Sequence, residues 1–274
     1  MADVLVVFGS KSDEPVYSRV MSGLKENSVS AELHICSAHR TPKELDALIE
    51  STSAKIIIAG AGLSAALPGV VASKTAKPVI GVPVSGAFAG LDALLSTVQM
   101  PKGYPVITTG VGNAKQAVEA ASLALKSYGL VKVTGNKYNQ GIKQKIDSIK
   151  PIANKLGLSF EFIETVEGNF DKNHQILVNV VELAGFSSEG LEDCLALNVP
   201  VLKESSTPEA LELFEKTKHG LWIGLNRVEN AFIAAAQLMN ANSGAISGKL
   251  KAYREELAKS VLEDDSSETK KFKQ

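Results

Sequence analysis

The 274-residue sequence has almost no excess charge of either sign. It carries 29 lysines and arginines against 30 aspartates and glutamates, for a formal net charge of −1. Without a basic surplus, the chain offers no broad positive field that could hold a nucleic acid, and no acidic tail is long enough to act as a binding segment. The charge balance therefore argues against nucleic acid and favours a small-molecule partner.

Cysteines and long apolar runs are also scarce. Cys36 and Cys194 are the only cysteines and lie in different halves of the chain, which favours reduced thiols in a cytoplasmic protein and argues against a disulfide framework or a metal site. No apolar run approaches the roughly 20 residues that a membrane span requires. The first residues lead directly into an apolar segment, without a charged and then apolar leader. We therefore expect a soluble protein with no membrane partner.

Short apolar segments alternate with helical patterns through the first half of the chain. Val4–Phe8 is continuously apolar and rich in β-branched residues, as in a strand buried on both faces of a parallel sheet. The further predicted strands are Ala31–Cys36, Lys55–Ala59, Pro78–Val84 and Val106–Thr109, and an alanine-rich helix is predicted over Ala114–Lys126. This alternation predicts an α/β fold, with a doubly wound parallel sheet of the flavodoxin or Rossmann-like three-layer type.

The same order begins again after about 125 residues, a period too long for a solenoid, and predicts tandem copies of one domain. The predicted strands of the second copy are Val131–Thr134, Ser159–Ile163, Gln175–Val180, Val199–Leu202 and Gly220–Gly224. We therefore predict domains at 1–128 and 129–262 and a frayed, flexible tail at 263–274. The second domain ends in a helix from Ala245 to Leu262, whose apolar stripe comprises Ile246, Leu250, Tyr253, Leu257 and Val261.

Polar loops follow the first two strands, at the edge where open α/β sheets bind ligands. The first loop carries Ser10, Ser12 and Asp13; the second runs from Ser37 to Pro42, with Thr41 as a predicted helix N-cap completed into a capping box by Glu44. Hydroxyls and a guanidinium beside a helix start suit a phosphate, and a histidine can move protons near neutral pH. On these residues alone, a capped turn with an exposed arginine and a packing histidine is an equal alternative.

A glycine-rich loop follows the third strand. Gly60 and Gly62 would let the backbone approach a planar ligand, and free N–H groups of such a loop can hold a carboxylate. A lone Gly-x-Gly is more often a tight turn, so this signal is weak. The loop after the first strand has one glycine rather than the three of a dinucleotide fingerprint, and no acidic residue closes a later strand in the usual place. We therefore exclude a nicotinamide or flavin site.

The second half lacks these residue types. Glu164–Gly168 has no histidine or arginine, and Gly135–Asn139 has no paired serines. His174 and His219 stand at strand starts, which we take to be the edge away from the site, so a structural role is favoured for both.

Four motifs of the first half, in order over about 120 residues, resemble the catalytic subunit of aminoimidazole ribonucleotide carboxylase, the PurE family. They are Gly9-Ser10-Lys11-Ser12-Asp13, Ser37-Ala38-His39-Arg40-Thr41-Pro42, Ala59-Gly60-Ala61-Gly62 with Leu67-Pro68-Gly69, and Val98-Gln99-Met100-Pro101. Asn230–Gln237 and Leu250–Arg254 resemble the C-terminal segment of the family, so the likeness extends to both halves.

The resemblance implies that the chain rearranges 5-(carboxyamino)imidazole ribonucleotide into 4-carboxy-5-aminoimidazole ribonucleotide in purine biosynthesis, by releasing and recapturing carbon dioxide. His39 would shuttle the proton, and no metal or organic cofactor would be needed. The implied substrate contacts are the ribose at Asp13, the phosphate near Ser12, Ser37 and Arg40, and the imidazole between His39 and the Gly60 to Gly62 loop. Ser10, Ala61 and Leu67 complete the implied set of substrate-binding residues.

Two alternatives stay open beside the mutase. One is direct carboxylation of aminoimidazole ribonucleotide by carbon dioxide, against which Arg40 in place of lysine argues; the other, of a different class, is a non-catalytic nucleotide-binding module. Ala66 stands where many bacterial members carry a histidine. Because single-domain members form octamers with sites at subunit junctions, the resemblance implies a homotetramer of tandem chains. The degenerate half would then act as a scaffold, and the terminal helix would lie across another copy.

Overall fold

The computed structural model describes residues 2–202 and 206–272. These residues form ten strands and ten α-helices, which alternate in the first half, whereas β7, β8 and β9 follow one another without an α-helix between them. The strands are β1 Val4–Phe8, β2 Ala31–Ile35, β3 Ile56–Ala61, β4 Val79–Pro83, β5 Ile107–Thr108, β6 Leu130–Gly135, β7 Phe160–Ile163, β8 Gln175–Val181, β9 Ala196–Pro200 and β10 Leu221–Trp222. The helices are α1 Glu14–Glu26, α2 Pro42–Ser51, α3 Leu67–Lys74, α4 Leu91–Val98, α5 Ala114–Ala124, α6 Gln140–Asp147, α7 Ile149–Leu156, α8 Thr207–Lys216, α9 Val228–Ser243 and α10 Ser247–Phe272.

All ten strands belong to one sheet, in the order β2-β1-β3-β4-β5-β10-β9-β8-β6-β7. Read outward from the middle, the two halves have the same strand order, and within each half neighbouring strands are parallel. The halves are joined by one antiparallel pair, in which Trp222 of β10 lies opposite Thr108 of β5. The predicted doubly wound sheet is confirmed, whereas no break in the sheet marks the boundary between 128 and 129, which stays a prediction.

Helices cover both faces of the sheet, because the central strands are apolar on both sides. In β1, Val4, Val6 and Phe8 pack into one core cluster with α1 and α5, while Leu5 and Val7 pack into the opposite cluster with α2 and α3. Burying a side chain of this size contributes about 1.5–3 kcal/mol relative to leaving it exposed. Among the described residues, no helix has the length and apolar character needed to cross a membrane.

Two strands, β3 and β9, have bounds that differ from the predicted ones. Strand β3 continues through Gly60 and Ala61, so these residues belong to the strand rather than to the loop after it. Strand β9 runs from Ala196 to Pro200 rather than from Val199 to Leu202, so it both begins and ends earlier than predicted. Asn198, a poor strand former, is buried in β9 because its amide donates to Leu221 O and its Oδ1 accepts from Asn179.

Helix α10 also differs from its prediction. It continues to Phe272, so the segment from Glu263 is helical and exposed as far as the structure describes it, rather than frayed; the last two residues lie outside the described part. Its apolar stripe is not free. Leu250 and Tyr253 are buried within the chain, and Leu257 contacts Gly103 of the first half. The helix therefore crosses from the second half onto the first half of its own chain, and of the stripe only Val261 is exposed.

Candidate functional site

The loops after β1, β2 and β3 come together at one edge of the first half. Phe8 lies beside Ile35 of β2 on one side and beside Gly60 of β3 on the other. The ladder continues one step further, because Cys36 N donates to Phe8 O at 2.9 Å and Gly9 N donates to Gly60 O at 3.0 Å. The parallel register thus places the three predicted site segments next to one another.

The loop after β1 forms a compact hydroxyl cluster. Ser10 is the N-cap of a short 3₁₀ turn, Lys11–Asp13, and its Oγ accepts from Ser12 N at 3.2 Å and from Ser12 Oγ at 2.8 Å. Asp13 lies at the end of this turn, and Asp13 Oδ1 accepts a longer bond of 3.4 Å from Ser12 Oγ. Ser10, Ser12 and Asp13 therefore form one hydrogen-bonded unit at the end of β1.

Asp13 is the buried member of the cluster, with 7% of its surface exposed. Burial raises the pKa of its carboxyl, while the Ser12 hydroxyl, the Ser10 backbone and the positive charge of Arg40 act in the opposite direction. A buried carboxylate has lost hydrogen bonds to water. Two vicinal hydroxyls of a ligand could donate to its oxygens and replace those lost bonds.

The loop after β2 turns back on itself through Thr41. Thr41 Oγ1 accepts from Ser37 N at 2.8 Å and donates to Ser37 O at 3.2 Å, while Ser37 Oγ accepts from Arg40 N at 3.2 Å. Thr41 does occupy the N-cap position of α2, but its side chain makes no capping bond to the helix. The predicted capping box with Glu44 is therefore wrong, since the Thr41 hydroxyl closes the loop instead.

Arg40 links the two loops. Its Nη2 donates to Gly9 O at 3.0 Å, which aims the guanidinium across the hydroxyl cluster. The side chain is otherwise exposed, and so is the neighbouring His39. The guanidinium thus keeps donors available for an anion, and the imidazole stands next to it at the open side of the edge.

The end of β3 and the segment that follows it contribute backbone rather than side chains. A Cβ atom at Gly60 would lie 2.1 Å from Phe8 Cε1, so only glycine allows Phe8 to pack there. Ala61 and Leu67 are both buried in the core cluster beneath α3, and Gly62 is partly exposed. Leu67 was predicted as a substrate contact; its side chain is committed to the core, so only its backbone at the start of α3 could reach a ligand.

A fourth loop, residues 85–90 between β4 and α4, lies at the same edge and was not among the predicted site segments. Phe88 is 81% exposed and Leu63, in the neighbouring loop, is 77% exposed. Phe88 and Ala89 both have positive φ, of 50° and 55°, an unfavourable conformation for residues with a side chain. An exposed phenylalanine among small residues, Ser85–Gly90, was the signal that this loop could take part in binding.

Other polar groups lie apart from these loops. A cleft of about 760 Å³ is formed by α5 and by strand starts of the second half, and no predicted site residue is among its lining residues. His219 lines this cleft. Because β5 and β10 are antiparallel and β10, β9 and β8 are parallel to one another, the starts of β10 and β8 lie at the same edge as the end of β5. This corrects the expectation that His219 and His174 stand at the opposite edge. Within the described residues, no group of three or more acidic, histidine or cysteine side chains could hold a metal ion.

Comparison with known proteins identifies relatives of the first half. A family model described as AIR carboxylase matches residues 3–148, more than half of the chain. The chain is 43% identical over 145 residues to the N5-carboxyaminoimidazole ribonucleotide mutase of Methanocaldococcus jannaschii, covering 52% of this chain and 92% of the relative. For the mutase of Pyrococcus horikoshii, the identity is 45% over 150 residues, covering 52% and 83%.

A relative with a second activity also matches. The chain is 47% identical over 127 residues to the phosphoribosylaminoimidazole carboxylase of Saccharomyces cerevisiae, covering 45% of this chain and 22% of that much longer protein. The family match ends at residue 148, so β7 to β10 and helices α7 to α10 lie outside it.

Proposed function

We propose that this chain, which belongs to the AIR carboxylase family, uses the loop edge of its first half to convert 5-(carboxyamino)imidazole ribonucleotide into 4-carboxy-5-aminoimidazole ribonucleotide. The family acts in purine biosynthesis, and the relatives in M. jannaschii and P. horikoshii are named as mutases of this substrate. The observation that carries the proposal is the joint between the loops, in which Arg40 donates to Gly9 O beside the cluster of Ser10, Ser12 and Asp13.

The ligand's polar groups match this joint. The phosphate would accept from Ser10, Ser12, Ser37 and Arg40, because hydroxyls and a guanidinium are strong donors to phosphate oxygens. The ribose hydroxyls would donate to the Asp13 carboxylate. The imidazole would then lie between His39 and the backbone of Gly60, Ala61, Gly62 and Leu67.

The reaction breaks the bond between the exocyclic nitrogen and the carboxylate and forms a bond between the ring carbon and carbon dioxide. The nitrogen gains a proton when carbon dioxide leaves, and the ring carbon loses one after it attacks. His39 would carry this proton, since an imidazole can both accept and donate a proton near neutral pH. Aminoimidazole is itself an enamine-like nucleophile, so the step requires neither a metal nor an organic cofactor.

A second activity, direct carboxylation of aminoimidazole ribonucleotide, is the alternative that the S. cerevisiae relative supports. Purified protein should be offered either carboxyaminoimidazole ribonucleotide or aminoimidazole ribonucleotide with bicarbonate, and the initial rates compared. We expect the carboxyamino substrate to react much faster. A faster reaction with bicarbonate would assign the direct carboxylase, and nucleotide binding without turnover of either substrate would assign a non-catalytic binding module.

The proposed active form is a homotetramer of cytoplasmic chains with four sites, one nucleotide per chain. Leu33 and Ile35 on the edge strand β2, together with Leu63 and Phe88, leave apolar surface exposed around the loop edge. Another copy lying on this surface would enclose the exposed His39 and exclude water from the released carbon dioxide. Light scattering should give the mass of a tetramer and calorimetry one nucleotide per chain; a monomer, or two nucleotides per chain, would contradict the assembly.

A further inference from the structure

A buried side-chain amide of the second half forms hydrogen bonds with a loop of the first half. Asn230, in the first turn of α9, is 1% exposed. Its Oδ1 accepts from Gly103 N at 2.8 Å, and its Nδ2 donates to Pro101 O at 2.9 Å and to Met100 O at 3.4 Å. All the polar atoms of this side chain are therefore used on the loop after α4, which we call the 99–103 loop.

Local helix formation does not account for this residue. Asparagine is a weak helix former, and a fully buried amide must form hydrogen bonds to offset the loss of its contacts with water. Its neighbours in the turn, Ala231 and Phe232, are apolar and fully buried. The amide at this position is therefore explained by the loop it holds rather than by its own helix.

Two further contacts from the second half reach the same region. Gly224 packs so closely that a Cβ there would lie 2.7 Å from Val98 O. From α10, the Arg254 guanidinium lies 4.8 Å from the ring centroid of Tyr104, next to the loop, and donates to Thr75 O at the end of α3. The second half thus holds both the 99–103 loop and the C-terminal end of α3.

Met100 connects the 99–103 loop to α3 and to the turn after β3. A Cβ at Gly69 would lie 3.2 Å from Met100 Sδ, so the thioether rests on α3. Met100 also packs against the core cluster that includes Ala61, Ala65 and Leu67, which flank the turn after β3. A displacement of the 99–103 loop would therefore be felt at the start of α3 and in the backbone from Gly60 to Leu67.

We propose that Asn230 is a positioning residue, which acts through Met100 and α3 to hold the Gly60–Leu67 backbone in its reactive geometry. The proposal rests on the proposed function for its effect on turnover, but the mechanical coupling can be measured without it. Asp13 and Arg40 lie on other loops, so nucleotide affinity should depend little on Asn230.

The test compares two asparagines of the same helix. Asn242, also in α9, donates to Leu125 O and Lys126 O of the first half, far from the 99–103 loop, and serves as the matched control. With Asn230→Ala, turnover per nucleotide-binding site should fall by tenfold or more with the nucleotide Kd within about threefold. With Asn242→Ala, both quantities should stay near wild type. If turnover falls only in proportion to the number of binding sites, the role of Asn230 is purely structural and the proposal is wrong.

Asn230→Asp gives a signature that a structural role would not produce. Its ionised carboxylate would face Pro101 O and Met100 O, whereas the protonated acid could donate to one of them and still accept from Gly103 N. The ratio of its turnover to that of wild type should therefore rise toward one as the pH is lowered. A ratio independent of pH would contradict the assignment.

Amide hydrogen exchange decides the coupling even if neither ribonucleotide is turned over. In Asn230→Ala, exchange should accelerate both in the 99–103 loop and in residues 60–67, while Asn242→Ala should leave both segments unchanged. Faster exchange confined to the 99–103 loop would overturn the proposal. An inactive wild-type protein with coupled exchange would instead count against the proposed function alone.

Discussion

The two halves share one strand order but differ at the positions where the first half carries its chemistry. Phe8 lies beside Ile35 and Gly60, and Thr134 lies beside Ile163 and Asn179, so these residues align the halves. Counting on from them, the second half has Asn139, Glu167 and Gly168 where the first has Asp13, His39 and Arg40. The same fold therefore carries a candidate site in one half and lacks its acid, base and cation in the other, as expected when function depends on a few side chains of a common scaffold.

The neighbouring residues at the strand ends also differ in size between the halves: Phe8 lies beside Gly60, and Thr134 lies beside Asn179. In the first half, a large Phe8 requires the missing side chain of Gly60, whose Cβ would lie 2.1 Å from the ring. In the second half, the smaller Thr134 stands beside Asn179, whose amide donates to Asn198 Oδ1 at 2.8 Å. The bare backbone that a flat ligand could approach is thus replaced by a side chain paired inside the protein.

The polar groups of the two edges are used differently. In the second half they pair with one another: Lys137 with Glu164 and Asn139 with Glu182. In the first half, Arg40 donates to a backbone carbonyl and forms no salt bridge among the described residues, although its charge acts to lower the pKa of the Asp13 carboxyl. A site that binds an anion needs a cationic donor without a salt-bridge partner, whereas a purely structural half has no need of one.

The largest expected effect comes from removing the second half. A chain truncated after Lys126 keeps every predicted site residue but exposes β5 as a sheet edge, and it loses the buried Trp222 that packs against Val98. We expect an aggregated and inactive product, measured by light scattering and by turnover. A monomeric, active fragment would show that the second half is dispensable.

Substitution of the proposed proton carrier should have the next largest effect. His39→Asn should lower turnover by at least about a thousandfold while nucleotide still binds, because the phosphate and ribose contacts lie elsewhere. Glu167→Gln, at the aligned position of the second half, should leave turnover within about twofold. Activity of His39→Asn within tenfold of wild type would contradict the assignment.

The regular part of this comparison was predictable from sequence, because continuous apolar strands such as Val4–Phe8 and turn signals such as Thr41-Pro42 are local. The joining of the halves was not. Strands β5 and β10 are only two residues long, and their antiparallel pairing depends on packing around Trp222 rather than on any local pattern. For the same reason the sequence misassigned His219 to the opposite edge. It also placed the apolar stripe of α10 on another copy, although residues of its own chain cover most of it.

The site residues were likewise predictable as types but not as contacts. The hydroxyls, His39 and Arg40 stand out by their order at strand ends. That Thr41 closes its loop instead of capping α2, and that Leu67 is buried, depends on three-dimensional packing between segments. Asn230 lies 127 residues from Gly103, so its bond to that residue could not be inferred from spacing.

A smaller effect, on nucleotide affinity, is expected when the guanidinium of Arg40 is replaced by an ammonium group. Arg40→Lys keeps the charge but loses the bidentate geometry and the reach to Gly9 O, which should weaken nucleotide binding by about 1–3 kcal/mol. Lys137→Arg, in the corresponding loop of the second half, should not change affinity. Calorimetry with an unchanged Kd for Arg40→Lys would place the phosphate elsewhere.

The smallest expected effect concerns stability and reverses in sign between the halves. Burial raises the pKa of Asp13 above its ordinary value of 3.8, so the folded state holds this proton more tightly than the unfolded state. The wild type therefore loses stability as the pH rises from 3.8 through the raised pKa, and at neutral pH the cost is fully present. Asp13→Asn should remove that cost and raise the free energy of unfolding at pH 7 by no more than about 1 kcal/mol, since solvent screens part of the site, and the gain should vanish near pH 4.

At the aligned position, Asn139 already donates to Glu182, so Asn139→Asp would place two carboxylates together and should destabilise the protein at pH 7. Denaturant unfolding at both pH values measures all four differences, and a loss of stability for Asp13→Asn at pH 7 would show that Asp13 stabilises the fold instead of being held in readiness for a ligand.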